Sequence, residues 1–484
     1  MALYVVLAGI MIVRHEPWFD EAQAWLLARD ASPWTLFADL LRYEGSPGLW
    51  HAILLAPAKL GLPYVTLHVI AAAAGVFTAY LILWHSPFPP LVQAVLPFTY
   101  FLFYQYVVVA RSYALLAPLL FLLAIVWPQR TEKVFRFTLL LVLLANVSAH
   151  GTLIAGSLLA LHLFEVVRMR RTLGRATLRR QFLAAGGFGV VTVLLFLQLR
   201  PPSDLSNPID QKVGLSSLRT LGELVDGAGT GLWPISLLAL LSALWWFWRS
   251  EVLLLFLVPG SVLAAFAILV YGLPWHIGIL FLLTLFALWV SLARGPRPRS
   301  NAHDLWARRA ALTALVVVVG AQTIWSASSV RYDLNRSYSG SVALARYIKA
   351  HGDGRTIYLA SFTPRSFVEK NVSPSWGGFP ALAVQPYFDR NVFANYHDGK
   401  KASFWEWKQE NGLDPHSPTK IVAAKPDWVV LNVKFRGASR QPKRFPGYRV
   451  RASFPGATAF KTSTFERDAY LLLERRAGAA VPTR

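Results

Sequence analysis

The chain of 484 residues contains no cysteine. Disulfides, thiolate metal sites and a cysteine nucleophile are therefore excluded. Carboxylates are scarce: 26 Asp and Glu stand against 48 Lys and Arg, a formal charge of +22. In a soluble protein such an excess points to nucleic acid. Here the basic residues lie in short clusters between apolar runs, as in cytoplasmic loops of membrane proteins, so no nucleic-acid partner is expected. No internal repeat is visible, which argues against a transporter built from duplicated halves. The first apolar run lacks a basic leader and a small-residue cleavage site, and it reads as a retained helix. A P-loop or dinucleotide glycine pattern is also missing, so the sequence carries no nucleotide-binding signature of those kinds.

Apolar residues are what the chain has in abundance. It is 55% hydrophobic, with 18 Trp and 30 Phe, and its mean hydropathy is positive. That composition belongs to the membrane class. Apolar runs fall at about 1–13, 64–84, 91–108, 113–127, 137–149, 152–167, 182–199, 232–248, 252–271, 275–293 and 310–327. The expected fold is a polytopic α-helical membrane protein with about eleven transmembrane helices. The stretch 48–61 is too short to span, is broken by Pro57, and reads as a helix lying in the interface. On that reading the clusters Arg130/Lys133/Arg136, Arg168 to Arg180, Arg249 and Arg294 to Arg309 share one side. The acidic loop 14–47 lies on the other.

Near residue 328 the apolar runs shrink to strand length. The expected division is a membrane domain, 1–327, whose first external loop and interface helices occupy 14–61, and an extracytoplasmic α/β domain, 328–484. Within the latter, Ser339 to Ala350 reads as a helix. Thr356–Ala360, Trp428–Val433, Tyr448–Phe454 and Ala469–Leu473 read as strands. The stretch 200–231, with Pro201-Pro202 and several glycines, reads as a long mobile loop.

The chain is organised around His15-Glu16-Pro17-Trp18-Phe19-Asp20-Glu21-Ala22-Gln23, which follows an uncharged run. Carboxylates gain nothing from lipid, so Asp20 and Glu21 at the exit of a membrane helix call for a purpose. One is general-base chemistry, for which partial desolvation tunes a carboxylate. Another is capping of the helical pattern that follows. Downstream come Tyr43-Glu44-Gly45-Ser46-Pro47-Gly48-Leu49-Trp50-His51 and Ala110-Arg111-Ser112-Tyr113-Ala114-Leu115. The first also fits a plain helix-start turn. Arg111, at an outer span end, suits a phosphate held by a two-pronged fork, or a snorkelling arginine anchored by interfacial tyrosines. His150 and His276 fall at outer span ends as well, where each could donate to a phosphate or serve packing.

An acidic pair just after the first membrane helix, followed by Glu-Gly-x-Pro-x-Leu-Trp, resembles the first external loop of the GT-C glycosyltransferases. That superfamily includes protein O-mannosyltransferases and bacterial aminoarabinose and lipopolysaccharide-core sugar transferases. The likeness is strongest over residues 10–130. It implies an integral protein of a bacterial inner membrane, with its active site and C-terminal domain on the periplasmic face. It implies a polyprenyl-phosphate-linked sugar as donor, a lipid, glycan or protein acceptor, and inversion at the anomeric carbon. Asp20 would be the base, and Glu21 would orient it or join it in holding a divalent metal, the one cofactor the resemblance suggests. Arg111, Tyr113, His150 and His276 would bind the donor phosphate, and Glu44 and His51 would position the acceptor or the loop. Relatives often carry His-Pro-Pro where this chain has Ser46-Pro47-Gly48, which leaves acceptor specificity open. Two non-enzymatic classes compete: a transporter or flippase, and a polymer-binding component of cell-envelope glycan assembly. The first would want ionisable residues at mid-span. The second would not need Asp20, Glu21 and Arg111 gathered on one face.

Overall fold

A computed structural model describes residues 1–205, 216–270, 272–294, 302–360, 374–397, 402–407, 417–433 and 442–476. Helix α1 (Ala2–Arg14) carries no charge before Arg14. The chain then turns through 84° into α2 (Phe19–Asp30). Glu21, in the first turn of α2, accepts the Trp18 N–H at 3.1 Å, the reach-back half of a capping box. At the other end Lys59 Nζ donates to the carbonyls of Arg29 and Ala31 at 2.7 and 2.6 Å. A cation is well placed there, against the negative pole of the helix. Short helical turns from Pro33 to Glu44 end at Gly45, whose φ of +59° places it in the left-handed conformation that glycine adopts at helix ends. Helix α3 (Leu49–Lys59) falls within the stretch 48–61 expected to be helical.

The helical body follows: α4 (Thr66–His85), α5 (Pro90–Val108), α6 (Ser112–Gln129), α7 (Val134–Ala145), α8 (Ala149–Arg168) and α9 (Arg175–Leu199). Then come α10 (Ser216–Ala228), α11 (Trp233–Arg249), α12 (Leu253–Leu269), α13 (Pro274–Ala293) and α14 (Ala302–Asn335). The segments α5 and α13 are the most enclosed of the long ones, and α9 the most peripheral. Gly75 of α4 lies against Tyr4 of α1 and Val107 of α5, and a Cβ there would sit 2.6 Å from the tyrosine oxygen. Three segments thus cross where there is room only for hydrogen.

Each of the eleven expected spans falls on a helix. Among the described residues seven helices are long and apolar enough to cross a membrane, or nine if two bent pairs each count as one span. The bent pairs are α1 with α2, and the end of α10 with α11. The remaining two, α7 and α12, are shorter apolar helices. The chain has the character of a helical membrane protein. The stretch 200–231 is not a loop throughout, as its prolines and glycines suggested. Residues 216–228 form α10, which packs on α11 and α13, while 206–215 lie outside the described residues. The last long helix runs on to Asn335, past the boundary expected at 328.

Beyond it, α15 (Ser341–His351) precedes a small sheet. Its strands are β1 (Ile357–Ala360), β2 (Trp428–Asn432), β3 (Tyr448–Phe454), β4 (Ala457–Phe460), β5 (Ser463–Arg467) and β6 (Tyr470–Arg475). Four of them pair in the order β1-β2-β6-β3, parallel at β1/β2 and antiparallel elsewhere. Strand β2 is buried along its whole length. Tyr347 of α15 packs its ring on Trp428 and Phe454 across one face. Strands β4 and β5 form a separate hairpin that the sequence pattern did not single out. At its tip Lys461 Nζ sits 4.0 Å from the Trp325 ring and donates to the Gly227 carbonyl. Burial lowers the Lys461 pKa to about 8, against the opposing pull of Asp226.

This C-terminal part is bolted to the first loop. The Gln23 amide makes two bonds with Trp405, donating to its carbonyl at 2.9 Å and accepting its N–H at 2.8 Å. Asp30 accepts the Ser403 N–H, Arg29 donates to the Phe388 carbonyl, and Ser341 Oγ donates to the Pro17 carbonyl. A chain ended at residue 330 loses every one of these ties. We expect limited proteolysis to cut residues 14–48 of that truncation roughly tenfold faster or more than in the intact chain, the signature of a lost local opening barrier.

Candidate active site

Two neighbouring carboxylates on α2 go to opposite fates, because successive helical residues point about 100° apart. Glu21 is fully buried. Its Oε1 accepts from the Ala110 N–H at 2.8 Å and from His68 Nε2 at 3.0 Å. Its Oε2 accepts from the Trp18 N–H and faces His15 Nε2 at 3.3 Å. The other His15 nitrogen donates to Asp333 Oδ2 at 2.7 Å, which also accepts the Tyr104 hydroxyl at 3.0 Å. With a carboxylate at each nitrogen, His15 is held as an imidazolium. Burial alone would lower its pKa, but the charges of Asp333 and Glu21 and the bonds to them raise it to about 10. Burial alone would raise Glu21, but the His15 charge and the two histidine hydrogen bonds bring it below the ordinary carboxylate value.

Asp20 faces the other way, into a cavity of about 440 Å³. Its Oδ2 lies 3.2 Å from Arg111 Nη2, the two side chains being 22% and 20% exposed. The Arg111 guanidinium also stacks near Tyr113 and Trp275, 5.3 Å from each ring centre. Tyr113 shares a 2.8 Å bond with His276 Nε2. The Leu273 N–H donates to His276 Nδ1, so the ring proton sits on Nε2 and is given to the tyrosine oxygen. That leaves the Tyr113 hydroxyl proton to be given to another acceptor. His150 packs its ring 4.4 Å from that of His276.

The same cavity is lined by Glu44, Trp50 and His51 from the loop and α3, by Arg42, and by Trp407 from the C-terminal part. Glu44 Oε1 accepts from Gln23 Nε2 at 2.7 Å and from Trp407 Nε1 at 3.0 Å. Burial raises its pKa to about 7; the two hydrogen bonds oppose this and the nearby Asp20 charge adds to it. Burial lowers the His51 pKa to about 4, so its ring is neutral at pH 7.

The expected site residues therefore largely converge. Asp20, Arg111, Tyr113, Glu44, His51 and His150 line one cavity, and His276 stands behind Tyr113. Glu21 does not join them. It is a structural anion, and the expected sharing of a metal by Asp20 and Glu21 is not supported by their geometry. Among the described residues the ligand-type cluster is His15, Glu21 and His68, with atoms within 4.8 Å of one another. Both Glu21 oxygens there already accept a backbone N–H, so hydrogen bonds close the cluster without a cation. Gln23, His68, Asp333 and Trp407 were not anticipated. Gln23 had a signal, being one turn after Asp20 on the same helix face. Asp333, an acid at the end of an apolar helix, had the weaker signal of an isolated charge.

Comparisons with models of protein families, with curated proteins and with solved structures return no match.

Breaking one partner of a buried ion pair costs about 3–5 kcal/mol. We expect Asp333→Ala to lower thermal stability in detergent by that order, and Asp20→Ala to have little effect. The sign of the pH dependence follows from the pKa directions. The raised His15 pKa contributes stability fully below its ordinary value of 6.5, and this is lost as pH rises through about 10. The lowered Glu21 pKa contributes above its ordinary value of 4.5, and this is lost as pH falls through the depressed one. Melting temperature should accordingly decline from pH 6.5 towards 10 in the wild type, and decline less in His15→Gln.

Proposed function

We propose that the chain is a GT-C-type glycosyltransferase that moves a sugar from a polyprenyl-phosphate carrier to an acceptor on the outer face of a membrane. The observation that carries this reading is the pairing of Asp20 with Arg111 at the wall of a polar cavity, beside the ends of apolar helices. A base and a guanidinium side by side suit a displacement in which one oxygen loses a proton and another gains negative charge. The resemblance of the first loop to that superfamily points the same way.

In this mechanism Arg111 holds the donor phosphate, with the Tyr113 hydroxyl as a second donor. The acceptor hydroxyl attacks the anomeric carbon as its proton passes to Asp20. The bond from that carbon to the phosphate oxygen breaks, and its electron pair leaves with the polyprenyl phosphate. A single displacement of this kind inverts the anomeric carbon. The polyprenyl phosphate leaves as an anion, so it needs charge stabilisation more than protonation. We take the chain to have about eleven spans, with the first loop and C-terminal part on the periplasmic side of a bacterial inner membrane, the face at which a carrier sugar is presented. A reporter fused after Arg175 should then read cytoplasmic, and one after Gly352 external.

Asp20 is the second residue of α2, whose cap is Trp18, so the capping role open in the sequence does not fall to it, and Asp20→Asn removes the proton acceptor without removing the helix cap. That variant should fold and bind polyprenyl phosphate, yet lose about two to four orders of magnitude in sugar transfer. A near-normal rate would end the assignment of Asp20 as base. Arg111→Lys keeps a positive charge and loses the fork, so donor affinity should fall while acceptor affinity holds. Unchanged donor affinity in both Arg111→Lys and Arg111→Ala would return Arg111 to a packing role. Glu21→Gln is expected to lower stability rather than act on the chemical step, in keeping with its burial.

A further inference from the structure

We infer that Glu44 and Trp407 form the acceptor subsite of this cavity, and that it takes a sugar ring rather than a peptide side chain. The inference rests on the transferase reading above. The cavity wall has an order that the hydrogen bonds spell out. Arg111 pairs with Asp20, and Asp20 stands one turn before Gln23 on α2. Gln23 donates to Glu44, and Trp407 donates to the same Glu44 oxygen. Asp20 thus touches the guanidinium directly, and the Glu44–Trp407 pair joins the same helix one turn further along, on the same cavity. In a displacement the leaving phosphate and the entering hydroxyl occupy opposite sides of the anomeric carbon, and the base touches the entering one. With the phosphate at Arg111, the acceptor approaches from Glu44 and Trp407.

The chemistry of that end selects a carbohydrate. Both donors to Glu44 go to Oε1, and no described residue donates to Oε2. A carboxyl oxygen on a cavity wall is a natural acceptor for ligand hydroxyls. Trp407 has its indole nitrogen committed to Glu44 and its ring set edge-on to Trp405 at 6.3 Å, so the orientation of the ring is fixed. A fixed aromatic wall beside a carboxylate is what a pyranose needs, its C–H face against the ring and its hydroxyls on the acid. A serine or threonine side chain would offer one hydroxyl and no ring face. The wall is also rigid, because the Trp405 backbone is clamped in both directions by Gln23. Among the described lining residues Trp407 alone comes from the C-terminal part, and this gives that part a defined role, selection of the acceptor.

The test uses the full chain in detergent, with decaprenyl phosphate as the donor-side probe. Methyl glycosides of glucose, galactose and mannose, and N-acetylserine amide, serve as acceptor-side probes in saturation-transfer NMR. At least one glycoside should receive saturation from the wild type, and the serine amide should not. Trp407→Ala should weaken that glycoside roughly tenfold or more, the usual scale for removing a binding tryptophan. Trp407→Phe, which keeps an aromatic face and loses the bond to Glu44, should retain most of the glycoside signal. Both variants should bind decaprenyl phosphate within about twofold of the wild type, a difference well under 1.4 kcal/mol. Glycoside contact unchanged in Trp407→Ala, or contact with the serine amide alone, would overturn the inference. Equal loss of glycoside and decaprenyl phosphate would do the same, by making Trp407 a general support of the fold. A wild type that binds glycosides but not decaprenyl phosphate would overturn the transferase reading, and the acceptor assignment with it.

Discussion

The structure depends on one buried charge cluster. His15, placed between Asp333 and Glu21, joins the end of the first helix to the end of the last long one and to the start of α2. His68 and the Ala110 N–H bring α4 and the α5–α6 junction to the same point. Uncompensated, any one of these charges would be costly to bury. Together they are mutually satisfied, and their pairing rules out most other arrangements of the segments that carry them. The cavity inherits its geometry from this knot. Asp20 is the residue before Glu21, and Arg111 is the residue after Ala110. Fixing Glu21 against the Ala110 N–H therefore sets Asp20 and Arg111 side by side, one peptide removed from the anchor on each strand of chain.

This explains why an acidic pair serves two unlike purposes. On a helix, neighbours diverge, so one carboxylate can be sealed inside while the other faces water. The sealed one positions, and the open one lines the cavity beside Arg111. A site built this way does not need the loop to be rigid by itself, because rigidity arrives through the adjacent residue.

Much of this was legible in the sequence, since long uncharged runs determine membrane helices wherever lipid is the only alternative to protein. The strands β2 and β3 also stood out, β-branched and aromatic residues being concentrated in them. The hairpin β4/β5 did not, because Ala457, Ala459 and Glu466 carry little strand character and its two strands are short. Helix α10 was hidden for a different reason. Its pattern is amphipathic and short, and the prolines and glycines around it outweighed it. Within the site, Asp20 and Arg111 were legible because both were expected at outer span ends, away from the basic clusters gathered on the other side. Their separation from Glu21 was not, because burial of one member of a pair is decided by His15, His68 and Asp333, which lie far apart in the chain. Trp407 was illegible for the same reason: nothing local marks one tryptophan among 18 as the one that reaches the cavity.

The separation of His15 from Asp333, 318 positions along the chain, has a consequence for biosynthesis. At ribosomal speeds of about 5–20 residues per second, roughly 15–60 s pass between the emergence of the two. Glu21 and His68 are only 47 positions apart, so their bond can close early. His15 must wait. During that interval the C-terminal end of α1 presents a histidine whose second partner has not been made. The His15–Asp333 bond can close only once α14 has been made, so the end of α1 gains its last partner late in synthesis.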